Sequence, residues 1–269
     1  MTTLRLPDRA PHPAPPAGGE IMQVRNLTKS FGGRTVLDGV DFTLSRGSVV
    51  AFLGANGSGK STTLKCVMGL ETPESGSITL EGTDLSTLRG TELVRARSGV
   101  AMVFQKIHLV PRRTALENVC AGALGRLRGP ASVSPMFFSR ELKEEAMAAL
   151  ARVGMADRAH EKAGRLSGGQ AQRVAVARAL CQRASVLLAD EPVSALDPRA
   201  AEEVMALLAE LAHAENLAVA AVLHQPDLAL RHADTVIGLV DGRIEYSGDI
   251  SGLDASMQAR LYTPNRAAA

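Results

Sequence analysis

SVVAFLGANGSGKSTTLKCVMGL, residues 48–70, is the stretch that decides the architecture. Ser48 to Leu53 is almost continuously apolar, the pattern of a strand buried on both faces rather than one. Gly54-Ala55-Asn56-Gly57-Ser58-Gly59-Lys60-Ser61 follows at once, then Thr62 and a segment with helical spacing. Strand, glycine-rich loop, lysine–hydroxyl pair and helix is the context that GxxxxGK[ST] requires. The glycines let backbone N–H groups wrap an anion, and the helix start adds partial positive charge. Lys60 adds a point charge, and the Ser61 hydroxyl is placed to reach Mg²⁺ beside the phosphates. The stretch predicts a loop that cradles the β- and γ-phosphates of a nucleotide.

Working outward, SVLLADEP at 185–192 is a second buried-strand pattern ending in Asp190 and Glu191. A carboxylate at the C-terminal end of a parallel strand faces the ligand crevice. Asp190 is placed to hold Mg²⁺ through water, and Glu191 to orient or deprotonate an attacking water. Two adjacent acids could also be ordinary loop residues; the phosphate loop is what favours the catalytic reading. Together the two motifs define a P-loop NTPase, a class that includes kinases, GTPases, helicases and motors.

RLSGGQAQRVAVARAL at 165–180 raises a different question. Val174, Val176, Ala177 and Leu180 alternate with Gln172, Arg173 and Arg178 at helical spacing, yet the helix would begin at Ser167-Gly168-Gly169-Gln170. Glycine costs about 1 kcal/mol in a helix interior. Either Ser167 is an N-cap with glycines in the adjoining loop, or an anion must approach the backbone there.

The remaining chain alternates strands and helices. Strands are expected at 21–27, 35–44, 77–82, 99–104, 217–224, 235–240 and 243–248, and helices at 168–182, 199–214 and 226–232. That alternation implies a mostly parallel sheet with right-handed crossovers. Residues 114–165 are rich in Ala, Leu and Glu with helical periodicity and no strand pattern, so they read as an inserted helical subdomain. Residues 1–19 carry five prolines and read as a disordered Pro-rich tail, with a Pro-rich ligand for a partner as the alternative. Residues 20–250 form the single domain, and 251–269 read as a C-terminal tail with weak helical character.

The bulk numbers exclude several classes. Of 269 residues, 45% are apolar and 22% charged, an ordinary globular balance. Thirty basic against 28 acidic residues argues mildly against a phosphate-gripping nucleic-acid binder, and the scarcity of aromatics, with no Trp, two Tyr and six Phe, argues against base-stacking platforms. No apolar run reaches the 18 or more residues that a membrane span needs, and no secretory leader pattern stands at the start. Cys66, Cys120 and Cys181 are scattered and odd in number, so they read as buried thiols.

LSGGQ at 166–170 is similar to the signature of ATP-binding cassette (ABC) ATPases, and further elements resemble that family in the same order. The resemblance covers roughly residues 21–248. It implies a RecA-like parallel core, an antiparallel β subdomain and the helical insert. It implies ATP and Mg²⁺ as ligands, with Phe31 stacking on adenine and Gln105 contacting Mg²⁺ and water. Ser194-Ala195-Leu196-Asp197 resembles the D-loop, and His224 the switch histidine at the γ-phosphate. Phe31 departs from the commoner Tyr and could instead fill core; Ala171 departs from a commoner Gln. In the family two cassettes pair head to tail, so Ser167, Gly168, Gly169 and Gln170 of one copy would cap the phosphate held by the other. The anion then approaches in trans.

A single cassette without fused spans or a long coiled coil fits an importer, with separate permease subunits and a solute-binding protein. The protein would then work peripherally at the cytoplasmic face of the membrane. VFQKIHLVPRRTALENVCAGALGR (103–126), VGMADRAHEKAGRLSGGQ (153–170), DEPVSALDP (190–198) and the His224-Gln225 pair resemble phosphonate-import ATPase subunits. Lys106, Ile107 and His108 depart from that pattern in a region that meets the membrane subunit. Phosphate and polar amino-acid importers, and a non-transport soluble ATPase acting on nucleic acid or the ribosome, are the alternatives.

Overall fold

A computed structural model describes residues 19–127 and 138–263; the proline-rich segment lies outside the described residues, apart from Gly19. The three strands richest in small apolar residues, β3 (Val49–Leu53), β7 (Val186–Asp190) and β8 (Ala218–Val222), are buried along their whole length. With β6 (Val100–Val103), β9 (Thr235–Val240) and β10 (Arg243–Asp249) they form a sheet in the order β10-β9-β3-β8-β7-β6. β9, β3, β8, β7 and β6 run parallel, and β10 returns antiparallel at the edge. A parallel sheet is stable only when both faces are covered.

The two faces have different covers, and β3 shows how its sequence serves both. Val49, Ala51 and Leu53 point into the core shared with the helices, while Val50 and Phe52 point into the second core. The first cover is built from α5 (Gly168–Gln182), α6 (Pro198–Glu215) and α7 (Pro226–His232). The second is α1 (Lys60–Met68) with a four-stranded sheet ordered β2-β1-β4-β5. Its strands are β1 (Glu20–Phe31), β2 (Arg34–Ser45), β4 (Ser75–Leu80) and the two-residue β5 (Thr83–Asp84). Phe42 of β2 meets Phe52 of β3 edge to face, centroids 5.2 Å apart, so the cores of the two sheets are one layer.

The described residues of 114–165 contribute α3 (Ala115–Cys120), α4 (Arg140–Arg152) and three 3₁₀ turns. Thr114 and Glu117 form a complete capping box at the start of α3. Asn118 then clamps the incoming chain, its side chain accepting from Val110 N at 2.7 Å and donating to Val110 O at 3.2 Å. α2 (Gly90–Arg97) lies on the surface with no buried residue. It has no apolar stripe to reveal it, which is why the sequence reading passes over it.

In the C-terminal segment, α8 (Ala255–Tyr262) is capped by Asp254, whose side chain accepts from Met257 N at 2.7 Å. Leu253 and Leu261 are buried, and Leu261 sits against Gly238 of β9.

Candidate active site

The C-terminal ends of β3, β7 and β8 open on one cavity of about 570 Å³. Asn56, Gly57, Gly59, Lys60, Ser61 and Thr62 form its floor, and Glu191 and His224 one wall. Gly54 enters the loop at φ 141°, and a Cβ there would lie 2.2 Å from the Leu239 carbonyl, so only glycine fits. Lys60 is 4% exposed, and its ammonium donates to the carbonyls of Gly54 at 2.8 Å and Ala55 at 2.9 Å. Burial pushes its pKa down, against the opposing pull of Glu191 and Asp190. A buried cation aimed at loop carbonyls is a charge with little water around it, placed to change partners for an anion.

Asp190 ends β7, 8% exposed, and accepts a hydrogen bond from the Ser61 hydroxyl at 2.6 Å. A carboxylate and a hydroxyl on one spot are hard oxygen donors, the set that suits Mg²⁺ when waters and phosphate oxygens complete the shell. Among the described residues no group of three or more His, Cys, Asp or Glu could hold a metal unaided. Any ion here would therefore be shared with a ligand.

Glu191 is one residue further on and turns sharply, with φ 51°. A left-handed non-glycine residue costs on the order of 1 kcal/mol, and such strain gathers at functional sites. Its carboxylate lies 2.6 Å from His224 Nε2 across the cavity. The pair joins the loops after β7 and β8, which the parallel register of those strands sets side by side.

The far wall was not legible beforehand. Arg34, Thr35 and Val36 at the start of β2, and Asp241 in the β9–β10 turn, line the cavity too. Gly242 stitches this wall together, donating to Ser58 O at 3.0 Å and accepting from Asp38 N at 2.9 Å. These residues come from separate sheets, and their only trace in the sequence is a Gly-Gly turn and an Asp-Gly turn.

Other expected residues lie elsewhere. Phe31 is 44% exposed at the end of β1, with the Lys29 ammonium over its ring at 4.7 Å, and is not part of the cavity wall. Gln105 follows the end of β6, exposed and outside the lining. Asp197 is the N-cap of α6, accepting from Ala200 N at 3.0 Å. Ser167 and Gln170 form a capping box at the start of α5, Ser167 N donating to the Gln170 side chain at 2.9 Å. Both Ser167 and Gly168 are exposed. A Cβ on Gly168 would come within 3.1 Å of Leu196, and one on Gly169 within 3.3 Å of Ala200. Inside the chain, therefore, Ser167 caps α5 and the glycines let the 194–200 segment pack closely. The same helix start stays open to solvent and takes no part in this chain's own cavity.

The ABC transporter family matches residues 37–194, which run from the cavity wall through the phosphate loop and α5 to the loop after Glu191. The chain belongs to the ABC transporter family. It is thus an ATP-binding cassette. The cassette is 45% identical to the phosphonates import ATP-binding protein PhnC of Frankia casuarinae over 92% of this chain and 99% of that one. It is 45% identical to the phosphate-import ATP-binding protein PhnC of Mycolicibacterium smegmatis, covering 85% and 87%. The hypophosphite import ATP-binding protein HtxD of Stutzerimonas stutzeri is 44% identical over 84% of this chain and 66% of its own length. Among solved structures, the dimeric post-hydrolysis state of the ATP-binding cassette MJ0796 bound to ADP and Pi superposes with a TM-score of 0.74. That pair is 32% identical, covering 86% of this chain and all of the other. No described helix is long and apolar enough to cross a membrane.

Proposed function

We propose that this cassette is the ATP-hydrolysing subunit of an importer that takes up phosphonates or related phosphorus oxyanions, acting as a head-to-tail pair beneath separate permease subunits. The observation that carries the hydrolytic half is the single cavity joining Lys60, the Ser61–Asp190 pair and the Glu191–His224 pair. The substrate half rests on relatives whose names differ but whose ligands are all phosphorus oxyanions.

The backbone amides of residues 54–61 and the Lys60 ammonium grip the β- and γ-phosphates, Lys60 giving up its two carbonyl partners to do so. Ser61 and Asp190 would hold Mg²⁺, with Gln105 as a further oxygen donor. The ion would supply positive charge to offset the charge that develops on the phosphate oxygens. Glu191 takes a proton from a water that attacks the γ-phosphorus in line, and ADP leaves with the electrons of the broken P–O bond. His224 fixes the Glu191 carboxylate and faces the γ-phosphate. Phe31 offers adenine the ring face away from Lys29. Ser167, Gly168, Gly169 and Gln170 complete the site from the second copy, with Asp197 beside them. The exposure of Ser167, Gly168 and Asp197, and the absence of all five residues from the chain's own cavity lining, support that reading.

A groove of about 790 Å³ between β6 and the helical segment, lined by Val94, Phe104, Gly122 and Arg178 among others, is where the permease docks. Val94 and Leu70 stay exposed there or nearby, at 68% and 55%. A solute-binding protein delivers the ligand on the opposite side of the membrane, and the cassette sits peripherally on the cytoplasmic face.

The test is ATP hydrolysis by the cassette purified with its permease and solute-binding protein, against phosphonates, phosphite, hypophosphite, phosphate and amino acids. Stimulation by phosphorus oxyanions is expected. Stimulation by amino acids alone would discard the substrate class and leave the catalytic assignments standing.

A further inference from the structure

The last described helix lies beyond the segment matched by the family, yet it touches two arms of the nucleotide cavity. Leu261 is 1% exposed, and its side chain lies flat on Gly238, where a Cβ would approach it to 2.5 Å. This close seat brings the backbone of residues 261–262 to the C-terminal ends of β3 and β8. The Leu261 carbonyl accepts a hydrogen bond from Ala55 N at 3.0 Å, pinning the second residue of the phosphate loop from behind. The half-buried Tyr262 hydroxyl donates to the His224 carbonyl at 3.4 Å. Burial pushes the phenol's pKa up, and a backbone hydrogen bond from Gly54 works against that rise. Consecutive residues of α8 thus hold Gly54 and Ala55 on one side and His224 on the other.

We propose that Leu261 and Tyr262 form a positioning clasp that sets the spacing between the phosphate loop and His224, so that the C-terminal helix governs turnover without touching nucleotide. The proposal rests on His224 acting in hydrolysis. The strands beneath are held by ladder bonds, whereas the catalytic spacing is set in the loops above them, where it is lost first. A clasp on both loops acts on the bound state as it moves toward reaction more than on the initial grip of ATP. Its signature is therefore a fall in kcat with little change in KM.

The experiment measures ATP hydrolysis by the full chain in complex with its permease. Tyr262→Phe keeps the ring and removes the hydroxyl; kcat is expected to fall about threefold to tenfold, the worth of one modest hydrogen bond. KM for ATP should stay within about twofold and Tm within about 2 °C. Gly238→Ala leaves every nucleotide contact in place and lifts Leu261 from its seat, so it should lower kcat in the same way. Gly238→Ala combined with Leu261→Val exchanges one methyl for another and should recover most of the loss. Wild-type kcat in both single variants overturns the clasp, as does a loss that merely follows Tm. His224→Ala separates the two levels. If it hydrolyses ATP normally, the role of His224 fails and the clasp with it. If it is inactive while Tyr262→Phe is normal, only the clasp fails.

Discussion

Two helix starts in this molecule carry opposite equipment. At the start of α1, Lys60 and Ser61 meet Asp190, Glu191 and His224, drawn in from the ends of neighbouring parallel strands. At the start of α5, the Ser167 and Gln170 side chains cap the helix reciprocally, and among the described residues no charged side chain bonds to either. Both present free N–H groups and a partial positive charge. On the proposed reading, one is a nearly complete phosphate site lacking a lid, and the other is a lid lacking a phosphate site. In a symmetric pair each end would supply what the other lacks, and the pair would gain two full sites.

The largest effect should come from removing the base at the equipped end. Glu191→Gln is expected to cut hydrolysis by about 10²-fold or more while Mg-ATP still binds and holds two copies together. Analytical ultracentrifugation with saturating Mg-ATP reads this directly; a variant that stays monomeric breaks the pairing of the isolated cassette. Ser167→Arg should also abolish hydrolysis, with ATP affinity measured by titration calorimetry within about twofold of wild type. An equal loss of binding would place the α5 start in its own cavity and end the contrast between the two ends. Mixing the two dead variants is the sharper form. Half of the dimers are then mixed, each with one wild-type site, so activity should return to about a quarter of wild type. No recovery would show that each chain works alone or that both sites must fire together.

A smaller effect tests the layers behind the two ends. Cys66 lies in the core under the phosphate loop, while Cys120 and Cys181 lie in the core beneath α5. Burial raises their thiol pKa values to about 11, 12 and 11 respectively. An unfolded thiol ionises near ~8.5. Above that pH the unfolded chain releases protons that the folded chain keeps. The thiol contribution is therefore whole at neutral pH and is lost as pH climbs from about 8.5 toward 11. Tm measured across that window should fall, and Cys66→Ala together with Cys120→Ala and Cys181→Ala should flatten the slope. A slope that one substitution removes would mean that only one layer is sealed.

What the sequence discloses follows the same division. The equipped end is legible because it is local: strand, loop and helix run through residues 48–70, and the acids end β7, the next strand but one along the sheet from β3. The wall of Arg34, Thr35, Val36 and Asp241 is invisible, since its residues meet only after two sheets have packed. α8 shows in the sequence only as weak helical character, because eight residues are too short a run for a period to stand out. The signature motif announces its glycines, but not that Leu196 and Ala200 lie against them.

That last contact allows the smallest change to ask the finest question, whether the glycines of α5 serve their own chain or the partner's phosphate. Gly168→Ala gains helix propensity, at most about 1 kcal/mol and less in a first turn. Against that stands a Cβ 3.1 Å from the Leu196 methyl, the end of a flexible side chain that can give by a few tenths of an ångström. The two terms nearly cancel, so Tm should move by no more than about 2 °C. Neither residue has the left-handed backbone that would make glycine obligatory on its own account. If hydrolysis by the pair also survives within about twofold, the glycine serves packing and the partner's phosphate meets only N–H groups and Ser167. If hydrolysis collapses while Tm holds, the added methyl has displaced the 194–197 segment or the partner's phosphate. Leu196→Ala in the same chain then decides which, because it relieves the first and leaves the second in place.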